Sequence, residues 1–186
     1  MRGPVVGVFL LLAVLPAAAT TVPRRSLEEL VAEAGEIVQA RVQRHWVEWD
    51  ASHRFLWTHY LVKVSDILKG PGGSEWIISE AGGTLDGLTM AVPGVVQYAD
   101  GEEVVVFLHR VPNGMWRTYG YGQGKFTVVG GSGGSARVVG QARGLTLVDA
   151  PDARRRRGMP LPALDGARLA DFKQLVRRMV QGRAVR

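Results

Sequence analysis

Residues 82–126 read GGTLDGLTMAVPGVVQYADGEEVVVFLHRVPNGMWRTYGYGQGKF, and this segment decides the fold. Turn-forming glycine and proline recur in it, as in Gly82-Gly83, Val92-Pro93-Gly94 and Pro112-Asn113-Gly114, and they alternate with strand-forming residues. The run Val104–Leu108 is apolar without interruption, which is typical of a fully buried strand. The segment predicts a compact β domain, and it offers almost no nucleophile, acid–base pair or metal-ligand cluster.

The residues before this segment predict a long antiparallel hairpin. From Ile37 to Gln43, apolar and polar residues alternate with the period of two of a half-buried strand. Asp50–His53 is typical of a turn, and a second alternating strand follows over Phe55–Val64. Shorter strands are expected at Trp76–Glu80, Glu103–Arg110, Trp116–Tyr121 and Lys125–Val129, with weaker ones at Ala136–Val139 and Leu145–Val148.

Two helices flank these strands. Ser26 and Glu29 form a capping box for a short helix that ends at Gly35. Over Leu164–Val180, apolar residues recur at three- and four-residue spacing, which predicts an amphipathic helix. We expect this helix to pack on the strands; because it is basic, a membrane surface is the alternative. The fold class is mainly β, a small closed barrel with a helix at each end, since closure removes exposed strand edges.

The N-terminus predicts export. Arg2 precedes the apolar run Val5–Leu15, and Ala17–Ala19 supply the small residues that a signal peptidase accepts. The run has about 11 residues, fewer than the roughly 20 that span a bilayer. We therefore expect cleavage after Ala19 and a soluble protein in the periplasm or outside the cell. The chain has no cysteine, which excludes disulfides and thiolate catalysis.

The composition divides the chain into four parts: a signal peptide (1–19), a β-barrel domain (20–148), a loop rich in proline and arginine (149–163) and a C-terminal helix with its tail (164–186). The formal net charge is +6. The loop carries the cluster Arg154, Arg155, Arg156 and Arg157, which predicts non-specific contact with polyanions. Specific binding to nucleic acid is not expected of an exported protein.

Several short motifs resemble a known family. They are Ile37-Val38, Tyr60–Val64 with Ile67–Gly70, Gly82-Gly83, Val92-Pro93-Gly94, Gly101-Glu102 and Gln123-Gly124-Lys125-Phe126. Over residues 27–129, approximately, they resemble a widespread set of exported bacterial proteins of unknown function. That set is similar to the netrin-like and tissue-inhibitor-of-metalloproteinase-like barrels, which are of oligonucleotide/oligosaccharide-binding (OB) type. The resemblance implies a fold and a binding role rather than a chemical activity.

Six residues of these motifs are expected to have structural roles. Glu102 is expected to hold backbone amides of the long connection before it, and Gln123–Phe126 to form a corner that leads into a strand. The full set is Gly101, Glu102, Gln123, Gly124, Lys125 and Phe126. Metalloproteinase inhibitors bind their target's zinc through an N-terminal cysteine, and a chain without cysteine cannot use that mechanism.

The first hairpin carries the best candidate for a partner surface. Tryptophans often mark contact surfaces, and three of them lie near the hairpin together with two histidines: Trp46, Trp49, His53, Trp57 and His59. Cross-strand packing that stabilises the hairpin is the alternative. A metal site needs three or four convergent ligands, and a hairpin brings only two histidines together. We therefore predict no metal, no cofactor and no catalytic residue.

These observations predict an exported, non-catalytic module that binds another extracytoplasmic macromolecule. One alternative is an envelope hydrolase with a site in the connection Gly82–Gly101, where Asp86 or Glu102 would act. A second alternative, by family analogy, is a protein similar to a protease inhibitor.

Overall fold

A computed structural model describes residues 21–130, 135–142, 145–149 and 158–184. The predicted signal peptide and the cluster Arg154–Arg157 lie outside the described residues. The described elements, in chain order, are β1 (Thr21–Pro23), α1 (Leu27–Glu33), β2 (Glu36–Trp49), β3 (Leu56–Lys69), β4 (Glu75–Ala81), β5 (Gly83–Leu85), β6 (Leu88–Met90), β7 (Glu103–Arg110), β8 (Trp116–Thr118), a 3-10 helix (Tyr121–Gly124), β9 (Lys125–Val129), β10 (Arg137–Gly140), β11 (Thr146–Val148), a second 3-10 helix (Leu161–Leu164) and α2 (Leu169–Ala184).

A seven-stranded sheet dominates the fold. Its order is β10-β9-β7-β2-β3-β4-β8, and β7 also pairs with β8, so that the sheet partly closes into a ring. The pairs around the ring are antiparallel except β4–β8, which meet in parallel at Ile78 and Trp116. The prediction of a mainly β chain with a small C-terminal helix is confirmed.

The predicted hairpin is the longest element of the ring. β2 pairs with β3 from Ile37 opposite Lys69 to Trp49 opposite Leu56. Asp50 closes the turn, since its side chain accepts hydrogen bonds from the amides of Arg54 at 2.8 Å and Phe55 at 3.0 Å. Such side-chain bonds to the following backbone make aspartate a favourable turn residue.

The sheet has a hydrophobic core on each of its two faces. One fills the ring, where Val104 and Val106 contact apolar residues of β2, β3 and β4. The other lies between the sheet and the helices and contains Val105, Phe107 and Phe172. Because β7 is covered on both faces, its residues can be apolar without alternation. This double burial explains the apolar run that the sequence shows.

The helices dock as the amphipathic patterns predict, although α2 begins later than expected. Ser26 and Glu29 form both bonds of the capping box at α1, and α2 buries Phe172 and Val176 against the sheet. The predicted start at Leu164 is wrong, because Leu164 ends a 3-10 helix and Gly166 adopts a left-handed φ of 77° before α2 begins. Among the described residues, no helix is long and apolar enough to cross a membrane.

Two features were not predicted from the sequence. β1 forms a parallel pair with β11, which ties the N-terminal segment to the chain near residue 147. The connection 82–101 contains the small hairpin of β5 and β6.

Candidate functional site

The outward face of β2, β3 and β4 carries the candidate partner surface. Side chains alternate between the two faces of a strand, and directly paired residues share a face. Trp46 is paired with His59, Glu48 with Trp57, and Leu61 with Ile77. Their neighbours Tyr60 and Ile78 point into the ring and are buried. We call the outward set the aromatic face, and it consists of Arg44, Trp46, Trp57, Leu61 and Ile77.

The structure divides the five residues singled out in the sequence. Trp46 and Trp57 lie on the aromatic face, and His59 lies on the same side. Trp49 is paired with Leu56, three positions from Trp46, and therefore belongs to the opposite face. His53 lies in the turn beside Trp49, with ring centroids 6.3 Å apart. The candidate set is therefore not one continuous surface.

His59 supports the aromatic face from below and is only 5% exposed. The Trp46 ring stacks on it with centroids 5.3 Å apart and planes 24° apart. His59 Nδ1 lies 2.8 Å from Ser79 Oγ. Its Nε2 lies 3.1 Å from Glu48 Oε1 but is not aligned with it as a hydrogen bond. Burial lowers the pKa of His59, and the Glu48 carboxylate offsets this only in part.

Two arginines lie over the tryptophans of this face. The Arg44 guanidinium is 4.9 Å from the Trp46 ring centre, and that of Arg117 is 5.5 Å from the Trp57 ring centre. Arginine favours the face of an indole because the π electrons attract the cation. This region therefore combines two guanidinium groups, the exposed Glu48 carboxylate and the exposed aliphatic carbons of Ile77.

Four further members of this region were not predicted from the sequence: Arg44, Leu61, Ile77 and Arg117. Ile77 is 46% exposed although its neighbour Ile78 is fully buried. The alternation in β4 could have placed Ile77 outward. Nothing local could have placed Arg117 beside Trp57, because that contact depends on the pairing of β4 with β8.

The motif residues Glu102 and Lys125 lie immediately before β7 and at the start of β9. They form a corner that is held by polar contacts. Lys125 is 4% exposed, and its Nζ donates to Gln97 O at 2.7 Å and to Glu102 Oε2 at 2.8 Å. Glu102 also accepts bonds from the Thr127 hydroxyl and the Ala99 amide. Burial alone would raise the pKa of Glu102, but the bonds from Lys125 and Thr127 outweigh burial and keep this pKa below its usual value.

Gln123 and Gly124 complete the corner. Gln123 is 2% exposed and accepts the Arg25 amide while its own amide donates to Pro23 O. A β-carbon on Gly124 would lie 2.0 Å from Tyr119 O, so only glycine fits. Phe126 packs between two core rings. Gly101 adopts a φ of 81°, which favours glycine, at the turn before Glu102.

The connection 82–101 contributes to a cavity of about 150 Å³, which is also lined by Glu80 and Tyr60. Glu80 is 3% exposed, and burial raises its pKa. Its oxygens accept the Thr118 amide at 2.9 Å and Arg117 Nη2 at 3.2 Å. Asp86, a candidate acid from the sequence, lies at the exposed tip between β5 and β6 instead.

The histidines of the hairpin do not converge. His45 is opposite Tyr60 and His59 opposite Trp46, so that the two imidazoles point to opposite faces. Within the parts of the chain that the structure describes, no group of three or more His, Asp or Glu side chains is placed to hold a metal ion. No protein-family model matches this chain, and no curated protein matches it. The family resemblance therefore stays a prediction.

Proposed function

We propose that this chain is an exported, non-catalytic binding module whose aromatic face contacts another extracytoplasmic macromolecule. The observation that carries the proposal is the placement of partly exposed Trp46 and Trp57 beside Leu61 and the 46%-exposed Ile77 on one outward face. Tryptophan and arginine provide much of the binding energy at protein interfaces. Tryptophan buries a large area with only two rotatable bonds, and arginine combines several N–H donors with a planar group that stacks on aromatic rings. A partner that covers this face would remove their apolar atoms from water.

A finer fold assignment belongs to the same proposal: the partly closed ring is a barrel of the OB or netrin-like type. Five strands support it, in the ring order β2-β3-β4-β8-β7, since OB folds are five-stranded and partly open. Barrels of this type commonly bind ligands on an outward strand face, which is where the aromatic face lies.

The two alternatives receive less support. A hydrolase would need a carboxylate that is free to transfer a proton, but Glu80 and Glu102 both accept bonds at both oxygens. If a hydrolase site exists nevertheless, Glu102→Gln or Asp86→Asn should abolish turnover while partner binding persists. The inhibitor alternative rests on analogy alone and predicts inhibition of co-secreted metalloproteases.

A photo-crosslinking amino acid at position 77 tests the proposal directly. We expect it to form a covalent product with a macromolecule of the native envelope fraction. The matched control is the same amino acid at Val129, which is 41% exposed on β9 and lies outside the aromatic face. Equal products at both positions would mean that capture is non-specific and would contradict the proposal.

Alanine substitutions give a second test. In the double variant Trp46→Ala/Trp57→Ala, the affinity for the captured partner should fall at least tenfold, because hot-spot truncations cost about 2 kcal/mol or more of binding free energy. Trp49→Ala is the matched control, since it removes the same side chain from the opposite face of the same hairpin. Retained capture by the double variant, or equal loss by Trp49→Ala, would overturn the assignment of this face.

A further inference from the structure

A second cavity, of about 210 Å³, lies where β7 and β8 meet the segment before α1. Among the described residues that line it are Arg25, His109 and Arg117, and none of these described lining residues is a carboxylate. The walls are therefore cationic. A pocket lined by one sign of charge concentrates ions of the opposite sign.

The floor of this cavity is a cross-strand pair. His109 on β7 lies directly opposite Arg117 on β8, and such partners share a face with Cβ atoms about 5 Å apart. His109 Nδ1 and Arg117 Nε are both buried without a hydrogen-bond partner among the described residues. A buried polar atom is stabilised when it finds a hydrogen-bond partner. Each of these two paired residues therefore has a side-chain nitrogen that no described residue satisfies.

The nearest carboxylates do not satisfy these groups. Glu80 Oε2 lies 3.2 Å from Arg117 Nη2 and leaves Nε of the same guanidinium without an acceptor. Glu29 Oε1 is 4.0 Å from Arg25 Nη1, at the limit of an ion pair. Neither glutamate lines the cavity. The cationic side chains therefore remain able to bind an acceptor inside it.

The rim of the cavity carries backbone strain. Gly120 and Tyr121 both adopt left-handed φ values, 73° and 59°. This conformation is unfavourable for a bulky residue such as tyrosine, and strained residues cluster at binding sites. Tyr121 is 41% exposed, so its ring stands at the mouth of the cavity.

We propose that this cavity is a binding site for a small oxyanion, a carboxylate or a phosphate, held by Arg25, His109 and Arg117. Guanidinium groups suit both anions because their N–H donors match two oxygens of one ligand. A turn of the imidazole about χ2 can bring its unpartnered nitrogen toward the ligand. Arg117 also lies over Trp57 of the aromatic face. Arg25 and His109 lie outside that face, so tests at these two residues are independent of the proposed function.

His109 provides the reporter for a test. Burial, and then the charge of Arg117, lower the pKa of His109. An anion beside the imidazole favours its protonated form and should raise this pKa. We expect the His109 resonances of the purified protein to shift in a saturable way with inorganic phosphate or with acetate, and the resonances of the exposed His53 to stay unchanged. The two salts, titrated separately, decide which oxyanion is preferred.

Substitutions test the assignment of the cations. Arg25→Gln should weaken the fitted affinity by about tenfold or more, since it removes a charge-assisted hydrogen bond to the anion. Arg110→Gln is the matched control, because it removes an exposed arginine of β7 that does not line the cavity. His109→Gln should abolish the increase in melting temperature that bound phosphate or acetate gives the wild type.

Three results would overturn the proposal. The first is a linear, unsaturated shift of His109 up to high millimolar concentrations of both salts. The second is an equal loss of affinity in Arg25→Gln and Arg110→Gln, which would indicate general screening of charge. The third is unchanged thermal stabilisation by the anion in His109→Gln.

Discussion

The corner around Lys125 and the aromatic face differ in the exposure of their side chains. In the corner, Lys125 is buried and Glu102 is partly buried, and the two are bonded to each other and to nearby backbone. On the aromatic face, Trp46 and Trp57 stay partly exposed, and Ile77 contacts solvent over nearly half of its surface. The corner uses its polar atoms to hold the fold together. The face keeps apolar area available, which a partner can cover.

This difference separates residues that stabilise from residues available for binding. A buried ion pair is sensitive to the loss of either member, because the remaining charge loses its partner and stays out of water. A half-exposed apolar side chain contributes little to stability, because water covers much of it in the folded state as well. Changes in the corner should therefore alter folding, and changes on the face should alter binding.

The largest effect is expected at the corner. Lys125→Met should lower the free energy of unfolding by about 3 kcal/mol, because it leaves the Glu102 carboxylate buried without its ion-pair partner. Urea denaturation measures the change. The double variant Lys125→Met/Glu102→Gln should recover part of the loss, since it removes the unpaired charge as well. If Lys125→Met is nearly as stable as the wild type, the corner does not stabilise the fold more than the aromatic face does.

An intermediate effect is expected from pH, through His59 beneath the aromatic face. The folded-state pKa of His59 is lowered from its ordinary value of 6.5. Between these two pKa values the unfolded chain binds more protons than the folded chain. Stability should therefore fall as the pH drops below 6.5 and should level off once the folded-state pKa is passed.

The test of this pH effect compares variants, because other groups titrate nearby. His109 acts in the same direction, whereas the raised pKa values of Glu36 and Glu80 act in the opposite direction. His59→Asn should reduce the loss of stability between pH 7.5 and pH 5.5, a range of about one unit on each side of the ordinary histidine pKa. His53→Asn, at an exposed left-handed position that asparagine tolerates, should leave the loss unchanged. Equal pH profiles for the wild type and His59→Asn would show that His59 does not carry the effect.

The smallest effect is expected on the face itself. Ile77→Ala should change the free energy of unfolding by about 0.5 kcal/mol or less, as is usual for surface positions. Its neighbour Ile78 is fully buried in the ring, and Ile78→Ala should cost about 3 kcal/mol. Thermal and urea denaturation of these two variants therefore compares the two faces of one strand. Similar losses at both positions would mean that Ile77 is part of a core.

Several elements could be predicted from the sequence because their signals are local. The bounds expected for β7 and β9 coincide with those in the structure, since an apolar run and the flanking turns mark each strand. The capping box at Ser26 likewise needs only four consecutive residues. The start of α2 was wrong because apolar spacing continues through the 3-10 helix at Leu161–Leu164, and spacing alone does not reveal the left-handed turn at Gly166.

The candidate site was only partly predictable. The tryptophans of the hairpin were recognised by residue type, but their division between two faces depends on the register of β2 against β3, which contains irregular shifts. The cationic cavity was not recognised at all. His109 and Arg117 are partners on the consecutive strands β7 and β8, but Arg25 precedes α1 and is distant from them in the chain. None of the three lies in a recognisable motif.

By itself, the sequence determined that the chain forms strands with a capped helix before them and an amphipathic helix after them. Alternation, apolar runs, turns and caps act over a few residues, so that a linear reading detects them. Only the tertiary structure decided which faces are covered, that Lys125 is bonded within a corner, that Trp46 and Trp57 share an outward face, and that His109 meets Arg117 in a cavity. These outcomes depend on strand register and ring closure, which bring together residues far apart in the chain.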